Sequence, residues 1–160
     1  MNSTSPGYGT RQLHLGQASS EVVKVLGKPS QQKVTSDLRE YWVYPELNFE
    51  AIVSRRTGRL LSLFFHDGSS LAGGEFFGRS VRDIHGLFGE AHKSGGGTTF
   101  SDGECIDRWI AYETGISFFF NRAGRVKTVC VSAPKRTRKR LSVVRHSESH
   151  SAHVAALRRL

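Results

Sequence analysis

Apolar residues recur at helical spacing in two short places along this chain and at strand spacing over much of the rest. Val22, Val25 and Leu26 fall at i, i+3 and i+4, as do Ile84, Leu87 and Phe88, so each triplet draws one apolar stripe on a short helix. Gly27 and Gly89 follow directly, where a helix C-terminus favours glycine, and Pro29 closes off the first helix. Ser80 with Asp83 reads as a capping box for the second helix. The first has Ala18 at that place, which predicts a start looser by about 1 kcal/mol. After each helix the period shortens to two: 39–44, 48–54 and 60–66, then 106–113, 116–121 and 126–132, read as strands. Gly58, Gly115 and Gly124 occupy short connections where hairpins need a positive φ, and Gly95-Gly96-Gly97 reads as a strand connection.

The pattern is written twice. Gly16, Val22 and Gly27 return 62 positions later as Gly78, Ile84 and Gly89, and Arg56-Thr57-Gly58-Arg59 returns 66 positions later as Arg122-Ala123-Gly124-Arg125. Such a long period marks a duplicated supersecondary unit. The expected fold is α+β, two tandem repeats, each a short helix packed on an antiparallel β-meander. The division is a flexible N-terminus (1–12), a first repeat (13–68), a linker (69–75), a second repeat (76–132) and a basic, disordered tail (133–160). One unit of about 55 residues would be marginal alone.

The Val/Ile-x-x-Leu-Leu/Phe-Gly helix, the Trp42-x-Tyr44 strand with its partner Trp109 and Tyr112, and the glycine-turn hairpin resemble the SmpA/OmlA (BamE-like) unit. Two such units over residues 13–132 resemble the β-lactamase inhibitory protein architecture. The resemblance implies a helix-backed antiparallel sheet that acts by binding proteins, without catalysis. Members of those families are exported, whereas this chain opens on Met1-Asn2-Ser3-Thr4-Ser5 with neither an apolar signal stretch nor a lipidation cysteine, which predicts a cytoplasmic protein unless a leader has been removed.

Charge changes the picture at one end only. The net +9 is concentrated beyond residue 132, where eight basic residues face the single acidic Glu148. Lys135, Arg136, Arg138, Lys139 and Arg140 form a dense cluster that could neutralise phosphates without reading sequence, so a nucleic-acid-associated protein is the alternative function. His146, His150 and His153 would align on a helix, but they lack carboxylate support and no metal is expected. The chain is 38% hydrophobic, with no run approaching the roughly 18 apolar residues of a membrane span. Cys105 and Cys130 fall on the first and third strands of the second repeat. Twice the ~4.8 Å strand spacing exceeds the roughly 7 Å Cα separation a disulfide tolerates, which predicts two free thiols and again a reducing compartment.

No phosphate loop, nucleophile elbow or His-Glu-x-x-His occurs, and His85, His92, Asp102, Glu104 and Asp107 have no counterparts in the first repeat, so no enzyme and no cofactor are expected. The strands, however, are apolar on both faces: Leu60, Leu61, Leu63, Phe64 and Phe65, and Phe118 to Phe120, do not alternate. Helices can cover only one face. The other is expected to be covered by the tails, by a second copy of the chain or by a partner protein, and binding a protein in an inhibitor, immunity-type or assembly-scaffold role is the function expected. Trp42, Tyr44, Trp109 and Tyr112 are the candidate anchors, with Trp109 favoured. Arg56, Arg59, Arg122 and Arg125, at the hairpin tips, are candidates for contacting an acidic partner.

Overall fold

The computed structural model describes residues 13–36, 38–99 and 105–134. Helix α1 (Ser19–Leu26) precedes strands β1 (Gln31–Ser36), β2 (Arg39–Tyr44), β3 (Phe49–Ser54) and β4 (Leu60–His66). Helix α2 (Val81–Phe88) precedes β5 (Lys93–Thr99), β6 (Cys105–Ala111), β7 (Ile116–Phe120) and β8 (Val126–Ser132), and a single 3-10 turn, Pro45–Leu47, joins β2 to β3. All eight strands belong to one sheet in the order β1-β2-β3-β4-β8-β7-β6-β5, antiparallel throughout.

This corrects the expectation of two tandem helix-on-meander repeats. The sheet is single, and β4 and β8 form its centre. Leu63 faces Val131 and Phe65 faces Val129 across that seam, side chains too apolar to stand on an open edge. Ser62 Oγ and Ser132 Oγ lie 2.7 Å apart, His66 Nδ1 lies 2.8 Å from Thr128 Oγ1, and Lys127 Nζ donates to Asp67 Oδ2 at 2.7 Å, so side chains also stitch the seam. Two strands escaped the sequence pattern. β1 is exposed at all six positions and carries no apolar alternation, and β5 contains the Gly95-Gly96-Gly97 run read above as a connection.

Both helices lie on the same face. Val22 of α1 and Ile84 and Phe88 of α2 join one core with Trp42, Tyr44, Phe49, Leu63, Phe65, Ile110, Phe118 and Val129. The 69–75 connection runs over that core, with Leu71 and Ala72 against it and Phe76, just beyond, fully buried in it. Helix ends are built as the sequence predicts: α1 has no side-chain cap at Ala18, whereas Ser80 and Asp83 close a reciprocal capping box on α2. Each helix is tied to the sheet by a tyrosine, Tyr44 donating to the Gly27 carbonyl and Tyr112 to that of Gly89, both at 3.1 Å. These satisfy carbonyls that a helix C-terminus leaves without an internal partner. No helix among the described residues is long and apolar enough to cross a membrane.

Two predictions follow from this packing. Phe118 is fully buried under the helices and its neighbour Phe119 points to the other face, so Phe118→Ala should cost about 3–5 kcal/mol in denaturant unfolding and Phe119→Ala about 1–2 kcal/mol. Equal losses would refute the assignment of faces. The second concerns acid. Hydrogen bonds from the Ser80 hydroxyl and then its N–H hold the Asp83 carboxyl below its usual pKa. A depressed carboxylate contributes stability above its unfolded pKa and loses it as pH falls through the folded one. The difference in thermal midpoint between the native chain and Asp83→Ala should therefore be present at neutral pH and vanish on acidification below the carboxylate range. A difference independent of pH would refute it.

Candidate binding face

The face turned away from the helices begins with strand alternation. In β3, Phe49, Ala51 and Val53 enter the helix-side core, which turns Glu50, Ile52 and Ser54 to the opposite face. In β4 the same parity sends Ser62, Phe64 and His66 outward, in β8 Thr128, Cys130 and Ser132, in β7 Ser117 and Phe119, and in β2 Tyr41 and Val43. At the middle of this face Ile52, Phe64 and Cys130 form a second, smaller apolar cluster, with Tyr41, Leu61 and Phe119 half-buried around it. The rings form a row that spans five neighbouring strands, from β2 to β7. Tyr41 stacks on Phe64 at 6.0 Å between centroids, and Phe64 meets Phe119 at 6.4 Å. No described element lies over the row.

Trp109 extends it. This residue pairs with Phe119 across β6 and β7 and with Gly95 across β5 and β6, and it is half-buried. Gly95 is what lets the indole lie flat on the edge strand, because a Cβ there would come within 2.8 Å of three ring atoms. The ring also walls a shallow groove of about 230 Å³ that it shares with Lys93, Ala111, Ser117, Ser132 and Ala133. Cations rim the face on both sides. Lys33 is registered with Tyr41 and Arg39 with Ser54 at one end, and Lys93 with Ala111 at the other.

A polar group lies beside the apolar row at the end of β3 and β4. Glu50 and His66 are 2% and 8% exposed, and Thr128 is fully buried. His66 Nε2 is 3.8 Å from Glu50 Oε1, too long for a hydrogen bond and an ion pair only when the imidazole is protonated. Burial, then the Glu50 carboxylate and the Cys130 sulfur, push the Tyr41 hydroxyl up to about 12, so it remains a neutral donor. Nothing in the sequence pattern pointed to Glu50 and His66. Their signal was parity alone, a glutamate and a histidine at outward positions of strands otherwise apolar.

The residues expected as anchors divide. Trp42, Tyr44 and Tyr112 are 6%, 4% and 8% exposed and belong to the helix-side core. Their contacts are internal, since Trp42 and Tyr44 share the parity of the core positions Phe49 and Ala51. Trp109 lies on the open face. The arginines divide too. Arg59 donates to the Gly16 carbonyl at 2.7 Å and Arg125 to that of Gly78 at 3.4 Å, tying each hairpin to the residues ahead of its helix. Arg56 is exposed at its tip, and Arg122 is exposed with its Nε 4.0 Å from Asp107. Lys135, Arg136, Arg138, Lys139 and Arg140 lie outside the described residues, as do His146, His150 and His153. Among the described residues no three His, Cys, Asp or Glu side chains are placed to hold a metal ion.

No protein-family model matches the sequence, and no curated protein matches it. Solved structures are similar in fold. One is an extracellular protein containing an SCP domain from Bacillus anthracis strain Ames, with a TM-score of 0.52 and 12% identity over 96% of this chain and 56% of that one. Another is a cysteine-rich secretory protein from Staphylococcus aureus subsp. aureus Mu50, with a TM-score of 0.50 and 15% identity over 74% of this chain and 43% of that one. The chain thus spans about half the length of these structures, and identity this low is a likeness of fold alone. The finding overturns the resemblance to SmpA/OmlA (BamE-like) units and to the β-lactamase inhibitory protein. The repeated glycines and tyrosines are what capping two helices onto an antiparallel sheet uses, since Gly27 and Gly89 end the helices and Tyr44 and Tyr112 donate to their carbonyls. The cytoplasmic expectation falls with it, because these neighbours are described as extracellular and secretory. Its thiol argument has a physical flaw as well. Cys130 is a free, buried cysteine whose thiol burial pushes up to about 12, and a thiol without access or thiolate does not report the redox state outside it.

Because Trp42 is buried and Trp109 opens on the surface, Trp109→Phe should abolish most acrylamide quenching of tryptophan fluorescence and Trp42→Phe should leave it nearly intact. The opposite result would place the indoles wrongly.

Proposed function

We propose that this protein acts by binding another protein across the helix-free face of its sheet, without catalysis, in an inhibitor, immunity-type or assembly-scaffold role. The observation that supports the reading most is the row Tyr41, Phe64, Phe119 and Trp109, a continuous aromatic surface with no described element over it. Phe64 at its centre is 7% exposed and Tyr41, Phe119 and Trp109 around it are half-buried, and aromatic residues of this kind dominate the energetics of interaction sites. The partner that fits has an apolar centre and acidic residues at its margin, opposite Lys33, Arg39 and Lys93. The exposed hairpin arginines Arg56 and Arg122 would extend that margin, Arg122 by exchanging Asp107 for a partner's carboxylate.

The alternative, nucleic-acid binding through Lys135, Arg136, Arg138, Lys139 and Arg140, rests on the sequence of that run. Salt separates the two readings, since phosphate binding loses affinity steeply as salt rises and an apolar face does not.

The test begins with partners captured by the full chain and measured by calorimetry. Trp109→Ala should weaken the complex by about 2 kcal/mol or more while lowering fold stability less than Trp42→Ala, which creates a core cavity worth about 3–5 kcal/mol. Self-association of the pure chain lost on Trp109→Ala would identify the partner as a second copy. Binding that survives Trp109→Ala and Phe119→Ala together would refute the reading.

A further inference from the structure

Two adjacent hairpin tips stand at one corner of the sheet. At the first, between β1 and β2, Val34 pairs with Glu40 and Ser36 with Arg39. The second spans residues 55–59 between β3 and β4, and its Arg55 N–H donates to the Leu38 carbonyl at 3.0 Å, so the backbone joins the two tips. We infer that this corner docks on the surface of an anionic phospholipid bilayer, with Val34 and Leu38 entering the headgroup boundary and Lys33, Arg39, Arg55 and Arg56 meeting the phosphates around them. The inference is independent of the protein-binding reading of the sheet face.

The first observation is apolar. Val34 and Leu38 are each 59% exposed, and among the described residues they are the large hydrophobic side chains left to solvent. An exposed valine or leucine standing singly needs no explanation. Here both share one tip, and that tip is tied down: the Leu38 N–H donates to Ser36 Oγ at 3.4 Å while its carbonyl is held by Arg55. The core of the chain is out of reach of these side chains, whereas the headgroup boundary of a bilayer accepts apolar groups to a depth of roughly 5–10 Å.

The second observation is charge. Lys33, Arg39, Arg55 and Arg56 are exposed, and none of them forms an ion pair with a described carboxylate. Over residues 33–40 and 55–59 five basic residues stand against two acidic ones, of which Asp37 lies outside the described residues. The far end of the sheet differs. His66 pairs with Thr128, which puts the β7–β8 tip where β4 ends, and there Arg122 faces Asp107 at 4.0 Å and Lys127 holds Asp67 at 2.7 Å. Unneutralised cations are thus gathered where the exposed aliphatic side chains are. Each cation beside an anionic leaflet strengthens binding about fivefold. A nucleic acid would engage the cations alone and leave Val34 and Leu38 in water; an anionic bilayer engages both, at two depths.

The test is flotation of the full chain with mixed phosphatidylcholine–phosphatidylglycerol vesicles, against vesicles of phosphatidylcholine alone. Binding is expected to the mixed vesicles and at least tenfold more weakly to the neutral ones. Val34→Ser with Leu38→Ser removes the apolar pair at constant charge and should weaken binding tenfold or more. Arg55→Gln with Arg56→Gln keeps the apolar pair and should also weaken it tenfold or more, with a shallower dependence on salt. Leu38→Trp, in a Trp109→Phe background, should shift its emission to the blue on adding mixed vesicles, a signal that purely electrostatic contact does not give. No binding to mixed vesicles, equal binding to neutral ones, or insensitivity to the serine pair would overturn the inference. So would binding lost only when Lys135, Arg136, Arg138, Lys139 and Arg140 are changed to Gln, which would assign the bilayer to that run. A DNA duplex bound through Arg55 and Arg56, with no vesicle binding, would make the corner a nucleic-acid contact instead. Trp109→Ala is the control: β3, β4, β8 and β7 separate β2 from β6, so that variant should leave vesicle binding unchanged while it weakens a protein complex on the sheet face.

Discussion

Leu63, Phe65, Val129 and Val131 set the terms for the rest of the molecule. They are central-strand side chains on β4 and β8, and neither strand could end a sheet without exposing them. Pairing the two puts the most apolar backbone at the middle and sends the polar strands β1 and β5 to the margins. One sheet of eight strands results, and the chain's two halves share their core. A substitution at the seam is therefore felt on both sides of it, since Ser62, His66 and Asp67 each find their partner on the other half of the chain.

That width creates an imbalance. Two helices of eight residues each, with the 69–75 connection and Phe76, cover the sheet on one face, and both helices are drawn to it by Val22, Ile84 and Phe88. Tyr44 and Tyr112 fix them there, through hydroxyls that burial pushes up to about 12 and so keeps protonated as donors. The opposite face has to make do with its own side chains. It solves the problem in part by letting rings lie on neighbours, Tyr41 on Phe64 and Trp109 on the bare backbone of Gly95.

Much of the local structure was legible. Helical spacing located α1 and α2, glycine located their ends, and apolar runs of strand length between turn residues located β2, β3, β4, β7 and β8 closely, because each of these is an amphipathic or buried element whose pattern is imposed by a core. β1 and β5 were invisible for the complementary reason. An edge strand held by backbone hydrogen bonds on one side and exposed on its faces leaves no apolar signature, and three glycines mimic a loop. How the strands of the two halves joined was equally beyond reach, since the β4–β8 contact is made between residues more than sixty positions apart. At the site, apolarity on both faces was readable from Phe118 to Phe120, but the fate of individual rings was not read correctly. Trp42 and Tyr44, two apart, go to the core together; Trp109 and Tyr112, three apart, part company. Treating the two pairs as equivalent hid that difference in parity.

The two margins carry a consequence for how the molecule can meet others. An open sheet invites a neighbour to add a strand by backbone hydrogen bonding, the route to both peptide capture and fibrous stacking. Here β1 is polar, carries Lys33 and breaks its register between Val34 and Ser36, while β5 offers glycines with no side chains to seat a newcomer. Growth in the plane of the sheet is thereby discouraged at both ends.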